Sequence, residues 1–322
     1  MHKSEGHSTP YDDAFKTMLE KFPQLIIPII NEQFGKDYAL DEKVKLLGQE
    51  IHSSKDKKGA ADSVLCICED IYHVECQSNP DSTIAIRILE YDFFIALRSP
   101  FLNDEDIYEL RMPRSCVLYL RHNSRTKDNV DVKVWLDNDE YFLYTVPIIK
   151  VQTYTKEDIF RKNLFMLLPF YIMRYESEAD DINQSKEMLH QLTNEYRDII
   201  RRMEVAFNAA NDTEGRRLCV ELQVVMKKVS EYFFRNQEAA KTQIGGTIMG
   251  GTCWKTFEEE CVERGLEQGL EQGLERGLEQ GMERGLEALR ELVRDGIITE
   301  EVAAAKLDMT LDEYRDAIKR LK

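Results

Sequence analysis

Two apolar runs joined by a short polar step constrain the fold of this chain more than any other feature. The first is Ser63-Val64-Leu65-Cys66-Ile67-Cys68 and the second is Ile71-Tyr72-His73-Val74-Glu75-Cys76-Gln77, with Glu69-Asp70 as the expected turn. Their β-branched and aromatic content reads as a β-hairpin. Strand side chains alternate faces, so His73, Glu75 and Gln77 share one face while Tyr72, Val74 and Cys76 share the other. Ending a buried hairpin in a carboxylate and an amide is costly unless something binds them. A hard cation would meet that cost, held by Asp62 at the mouth of the first run, by Glu75, and by the backbone carbonyl of Cys76 as a third oxygen. The pattern points to a hydrolytic metal site.

The flanking sequence supplies the rest of an α/β core. Residues 12–34 predict a helix, with Phe15, Met18, Leu19, Phe22 and Leu25 at helical spacing and Pro23 as a break or kink. A polar loop is expected from about Gly48 to Gly59. After the hairpin, Asn79-Pro80-Asp81-Ser82 stops the strand and offers Asp81 or Ser82 as an N-cap. Ile84, Ile88, Tyr91, Phe94 and Ile95 then line one face of a helix from Thr83 to Arg98, ended by Ser99-Pro100. Ser115–Leu120 reads as a third strand, and Val130–Leu136 with Tyr141–Thr145 as a second hairpin. Val146–Tyr154 continues the sheet, with Pro147 favouring an edge or a bend. Everything beyond Thr155 reads as helical, over about 156–176, 182–211, 214–239 and 253–294.

The order and combination of these segments resemble the PD-(D/E)xK nuclease superfamily, in which an acid is followed a hairpin later by Glu-x-Lys. The closer resemblance is to the bacterial Rpn family of recombination-promoting, transposase-like nucleases, where Gln commonly takes the last position, as in Glu75-Cys76-Gln77. Asp12-Asp13-Ala14-Phe15-Lys16, Ala61-Asp62, Ile86-Arg87-Ile88-Leu89-Glu90-Tyr91-Asp92 and the Glu/Gln/Gly-rich tail share in the likeness. It is dense over residues 11–100 and loose from 101 to 250. It implies a restriction-endonuclease-like mixed sheet flanked by helices, followed by an α-helical C-terminal region. It also implies an Mg²⁺-dependent DNA endonuclease, with Mn²⁺ as a substitute, in which Asp62 and Glu75 bind metal and Gln77 positions the attacking water. Gln77 departs from the superfamily's lysine: an amide orients water but is neither a base nor a cation at neutral pH.

Three further residues are accessory candidates. Asp13 matches an acidic position that approaches the metal in such nucleases; Asp12 competes for the role, and both equally suit a helix start. Arg87 and Tyr91, at i and i+4, form either a phosphate clamp or a structural Arg–acid pair with a packed Tyr. His73 is expected to be structural, as a lone strand histidine usually is. The alternative to catalysis is a degenerate nuclease fold that serves as a protein-interaction module.

Composition narrows the partners. A net charge of −16 argues against a broad DNA-binding surface, so any phosphate contact must be local. Lys55, Lys57 and Lys58 before Asp62, and Arg111, Arg114, Arg121, Arg125 and Lys127 around the third strand, are the local basic sources. Seven cysteines without a C-x-x-C pair suggest buried reduced thiols and a cytoplasmic protein. Cys66, Cys68 and His73 lack the usual spacing of a zinc site. The N-terminus has no signal-peptide pattern, and the longest apolar stretch, Asn163 to Met173, is too short to span a bilayer.

Residues 1–176 therefore read as the nuclease-like domain, 177–244 as a helical region, and 245–322 as a linker, a repeat helix and a C-terminal helical pair. Gly245-Gly246 and Gly250-Gly251 mark the linker between 241 and 252. The repeat, Glu-Arg/Gln-Gly-Leu/Met, runs from Glu263 to Leu286. A four-residue period drifts about 40° per repeat on a 3.6-residue helix, and each Gly costs about 1 kcal/mol relative to Ala. Such a helix gains from a partner, and the expectation is a homo-oligomer formed through the C-terminal helices. Ala303, Leu307, Leu311, Tyr314 and Ile318 form the seam of the terminal pair, which carries a capping-box pattern at Thr310-Leu311-Asp312-Glu313.

Overall fold

The computed structural model describes residues 10–47, 50–53, 57–60, 63–98 and 100–320. Helix α1 (Pro10–Lys21) and helix α2 (Ile27–Phe34) are separated by a 3₁₀ turn at Pro23–Ile26. The break falls at Phe22, whose backbone is non-helical at φ −140°, ψ 62° because Pro23 excludes helical geometry from the residue before it. Gly35 closes α2 in the left-handed region at φ 61°.

Strands follow in the order β1 (Val44–Leu46), β2 (Glu50–Ser53), β3 (Lys57–Ala60), β4 (Val64–Ile67) and β5 (Asp70–Gln77). Helix α3 (Ile84–Ala96) precedes β6 (Phe101–Leu102), β7 (Tyr108–Glu109), β8 (Arg114–Tyr119), β9 (Asn129–Trp135) and β10 (Tyr141–Lys150). Two expectations are corrected here. The polar loop from Gly48 to Gly59 contains an antiparallel ribbon of β2 and β3, since backbone pairing alone sustains two strands of polar sequence. The turn of the main hairpin is Cys68-Glu69, with Cys68 at φ 53°. Asp70 belongs to the strand, where Lys36 and Tyr38 hydrogen-bond its carboxylate at 2.5 and 2.6 Å.

The main sheet has six strands in the order β1-β4-β5-β8-β10-β9. β5 pairs parallel to β8 and β8 parallel to β10, while the remaining pairs are antiparallel. The parallel β5–β8 connection carries α3, as a crossover requires. β10 is paired on both sides, so Pro147 is not on an edge strand. Pro147 faces Asn129 in the β9 ladder, and the β8 ladder begins one residue later at Ile148. Its missing N–H therefore falls where no ladder bond is due.

One face of the sheet is covered by α3, which sets Ile84 and Ile88 against Val117, Tyr119, Val146 and Ile148, and packs Tyr91 and Ile95 with Val64. On the opposite face, Tyr72 meets Phe34 with ring centroids 5.5 Å apart. Helices α4 (Lys156–Arg161), α5 (Ala179–Gln184), α6 (Lys186–Ala206), α7 (Thr213–Phe233) and α8 (Glu238–Ile248) follow, with a 3₁₀ segment at Phe165–Glu178 holding Pro169. The segment expected to be helical over 156–176 is thus α-helical at Lys156–Arg161 and 3₁₀ from Phe165 onward. α7 joins α1 through Lys21–Glu221 at 2.6 Å and a Tyr11–Tyr232 edge contact.

Helix α8 replaces most of the linker expected over 241–252. Ile244 and Ile248 are fully buried. At Gly251 a Cβ would lie 2.7 Å from both Glu204 Oε1 and Ile200 Cγ2, so this glycine permits close packing rather than flexibility. Helix α9 (Thr252–Arg294) starts in this first compact unit, Met1–Trp254, and continues into a second, Lys255–Lys322. A chain ended after Trp254 should keep the near-ultraviolet circular dichroism of the first unit's aromatic core. Loss of that signal would show that the two units fold only together.

In the second unit, α10 (Glu300–Lys306) and α11 (Leu311–Arg320) bury Ala303, Ala304 and Tyr314 with Leu286 of α9. Both halves of the Thr310–Glu313 capping box form: Thr310 N donates to Glu313 at 2.8 Å and Glu313 N to Thr310 Oγ1 at 3.3 Å. Leu266, Leu274 and Met282 of the repeat are exposed. No described helix is long and apolar enough to cross a membrane.

Candidate active site

The expected alternation along β5 sets the site. In parallel register, His73, Glu75 and Gln77 lie beside Ser115, Val117 and Tyr119 of β8, on the face that α3 covers. His73 and Glu75 are consequently buried, at 0% and 2% exposure, whereas Gln77 at the strand end is half-buried. Burial of this order demands that each polar atom find a partner.

The partners form a chain from α3 across the sheet. Asp92 lies under α3 with no exposed surface, and its Oδ1 is 2.7 Å from His73 Nδ1. Its other oxygen accepts from Ser115 Oγ at 2.5 Å and from Tyr144 OH. His73 Nε2 is 3.2 Å from Glu75 Oε1. Glu75 Oε2 accepts from Gln77 Nε2 at 3.2 Å and faces Arg87 Nη2 at 3.7 Å. Arg87, on the first turn of α3, also pairs with Asp81 at 3.2 Å.

Burial alone would lower the His73 pKa, but hydrogen bonds to Asp92 and Glu75 outweigh it and raise the group to about 9. His73 is therefore an imidazolium at neutral pH, donating through both ring nitrogens. Because its pKa lies above the ordinary 6.5, its contribution to stability is complete below about pH 6.5 and disappears as pH rises through about 9. At about 1.36 kcal/mol per pH unit, the difference is worth about 3 kcal/mol. Urea denaturation at pH 6 and pH 9.5 should show that loss, and His73→Gln should flatten it.

Asp62 and Lys55 lie outside the described residues, and Lys57 and Lys58 are described only as backbone of β3. Ser63, the neighbour of Asp62 in sequence, accepts from Val74 N at 2.9 Å. Leu120 N donates to the Gln77 carbonyl on the β8 side, so the Cys76 carbonyl points to the β4 side. Asp12, rather than the exposed Asp13, accepts from Ser78 Oγ at 3.4 Å immediately beyond Gln77. Tyr91 stacks edge-on near His73 with centroids 5.9 Å apart. Among the accessory candidates, Arg87 reaches Glu75 and Tyr91 packs on the imidazole. Arg121 reaches the Ser78 carbonyl at 3.3 Å.

No family model, curated protein or solved structure matches this chain.

Asp92, Ser115 and Tyr144 carry no role in the sequence reading, yet they anchor the site. The available signal was positional: Asp92 stands four residues after Ile88 and three before Ile95, inside the apolar stripe of α3. An acid there must be paired. Among the described residues, no group of three His, Cys, Asp or Glu side chains is placed to hold a metal ion. The donors that β5 does present, a carboxylate and a strand carbonyl, are hard oxygens and suit Mg²⁺ in kind.

Proposed function

We propose that this chain is an Mg²⁺-dependent DNA endonuclease of the Rpn kind, built on a restriction-endonuclease-like fold and serving transposase-like recombination. The observation that carries the reading is Glu75, a buried carboxylate on a central strand with Gln77 beside it and Arg87 approaching. A purely structural acid has no need of that neighbourhood at the end of a strand. Asp62, Glu75 and the Cys76 carbonyl would hold Mg²⁺, or Mn²⁺ in its place. When bound, the ion would acidify a water and offset charge on the phosphate.

The chain's own residues prepare that chemistry. His73, fixed by Asp92, holds one oxygen of Glu75 so that the carboxylate keeps a single orientation. Gln77 spends its amide nitrogen on Glu75, which leaves its amide oxygen to accept from the attacking water. Arg87 stands one-third exposed beside Glu75 and would offer its guanidinium to an incoming phosphate. Asp12 and Arg121 border the same strand end at Ser78.

The second reading is a nuclease fold that has become an interaction module. It is favoured by the same geometry, because both Glu75 oxygens already have protein partners. Supercoiled-plasmid nicking separates the two. On the nuclease reading, the wild-type chain nicks with Mg²⁺ and not with EDTA, and Gln77→Ala slows nicking about 10²-fold without weakening metal binding. Cutting by Gln77→Ala at the wild-type rate would remove the amide from the mechanism, and an inert wild type would favour the interaction module.

A further inference from the structure

We propose that strand β9 is a self-pairing edge through which two copies of this chain join into a continuous antiparallel sheet. This inference is independent of the nuclease reading. β9 ends the six-stranded sheet, and its outer side has no partner strand among the described residues. Which backbone groups face outward follows from the bonds at its two ends. Ile148 N donates to Asp128 O at 2.8 Å and Leu136 N to Glu140 O at 2.7 Å. In an antiparallel pair, hydrogen-bonded positions recur at every second residue. Val130, Val132 and Val134 therefore point their N–H and C=O groups toward β10, whereas Asn129, Asp131, Lys133 and Trp135 point theirs to the open edge.

The side chains select the occupant. Asn129, Asp131, Lys133 and Trp135 also share the exposed face of the ribbon, where Trp135 and Tyr141 meet edge-to-face at 5.1 Å with Lys133 over both rings. An exposed edge is normally guarded by charge against stray strands. Here the two charges are opposite and two residues apart. Antiparallel pairing with a second copy, centred on Val132, sets Asp131 opposite Lys133 of that copy and Lys133 opposite its Asp131. Asn129 then lies opposite Trp135. The same register brings outward-facing backbone groups against outward-facing groups, so ladder bonds and ion pairs form together. A strand of unrelated sequence meets an unmatched charge on this edge. A copy of itself meets complementary ones, twice, by the two-fold symmetry. Opposite charges directly across a strand pair stabilise and like charges destabilise.

Sedimentation velocity of the full chain, in a concentration series up to about 100 µM at low ionic strength, tests this. Wild type should show a reversible monomer–dimer equilibrium. Asp131→Lys and Lys133→Asp, each alone, place like charges at both symmetric positions and should raise the dissociation constant roughly tenfold or more. Mixed in equal amounts, the two variants should regain wild-type association, because each now complements the other. Lys133→Pro removes an outward N–H without touching the β10 ladder and should also suppress pairing. A wild type that stays monomeric throughout, single variants that associate as wild type does, or a mixture that fails to recover would each overturn the proposal. Circular dichroism of each variant separates loss of pairing from loss of fold.

Discussion

Asp92→Ala should lower the unfolding free energy by about 3–5 kcal/mol, the cost of removing one partner from a buried ion pair. Asp92 holds both the Nδ1 side of His73 and two hydroxyls, those of Ser115 and Tyr144. Truncation strands a buried imidazolium with only Glu75 as counter-charge and leaves the hydroxyls without their acceptor. The His73 pKa should fall, because the Asp92 hydrogen bond is the largest influence raising it. Replacing His73 and Asp92 together by apolar residues should cost less than the two single replacements summed, since each single change leaves the other group unpaired. Urea midpoints at pH 7 give the comparison. A loss below about 1 kcal/mol for Asp92→Ala would mean that the chain from α3 to Glu75 does not bear on stability.

Much of the sheet was legible because its strands keep strict period-two alternation. His73, Glu75 and Gln77 share a face as read from sequence, and the Val130–Leu136 and Tyr141–Thr145 runs pair as a hairpin. What escaped was fixed by tertiary contact. Nothing local marks Glu50–Ser53 and Lys57–Ala60 as strands, since their pairing is backbone with backbone. Gly245 and Gly251 suggest a linker by composition, yet Gly245 lies buried within α8 and Gly251 permits a close approach that only the fold displays. The turn moved to Cys68-Glu69 because Asp70 is held by Lys36 and Tyr38, more than thirty residues earlier in sequence. At the site, Glu75 and Gln77 could be named from a single strand. Asp92, Ser115 and Tyr144 converge from α3, β8 and β10, a meeting no spacing rule encodes.

The nuclease reading makes the second large prediction. Asp62→Ala and Glu75→Gln should each reduce Mg²⁺-dependent cleavage by at least about 10²–10³-fold, the scale of losing one group that stabilises transition-state charge. Glu75→Gln is the informative choice at position 75. It preserves the volume of a side chain packed against His73, Gln77 and Arg87, and removes the charge a cation would need. The most direct test is nicking of supercoiled plasmid by wild type, Asp62→Ala and Glu75→Gln, each with Mg²⁺ and with EDTA, after circular dichroism has shown all three folded. The nuclease account predicts nicking by wild type with Mg²⁺ alone and none by either variant; wild-type nicking that survives EDTA, or variants that cut as fast as wild type, would contradict it.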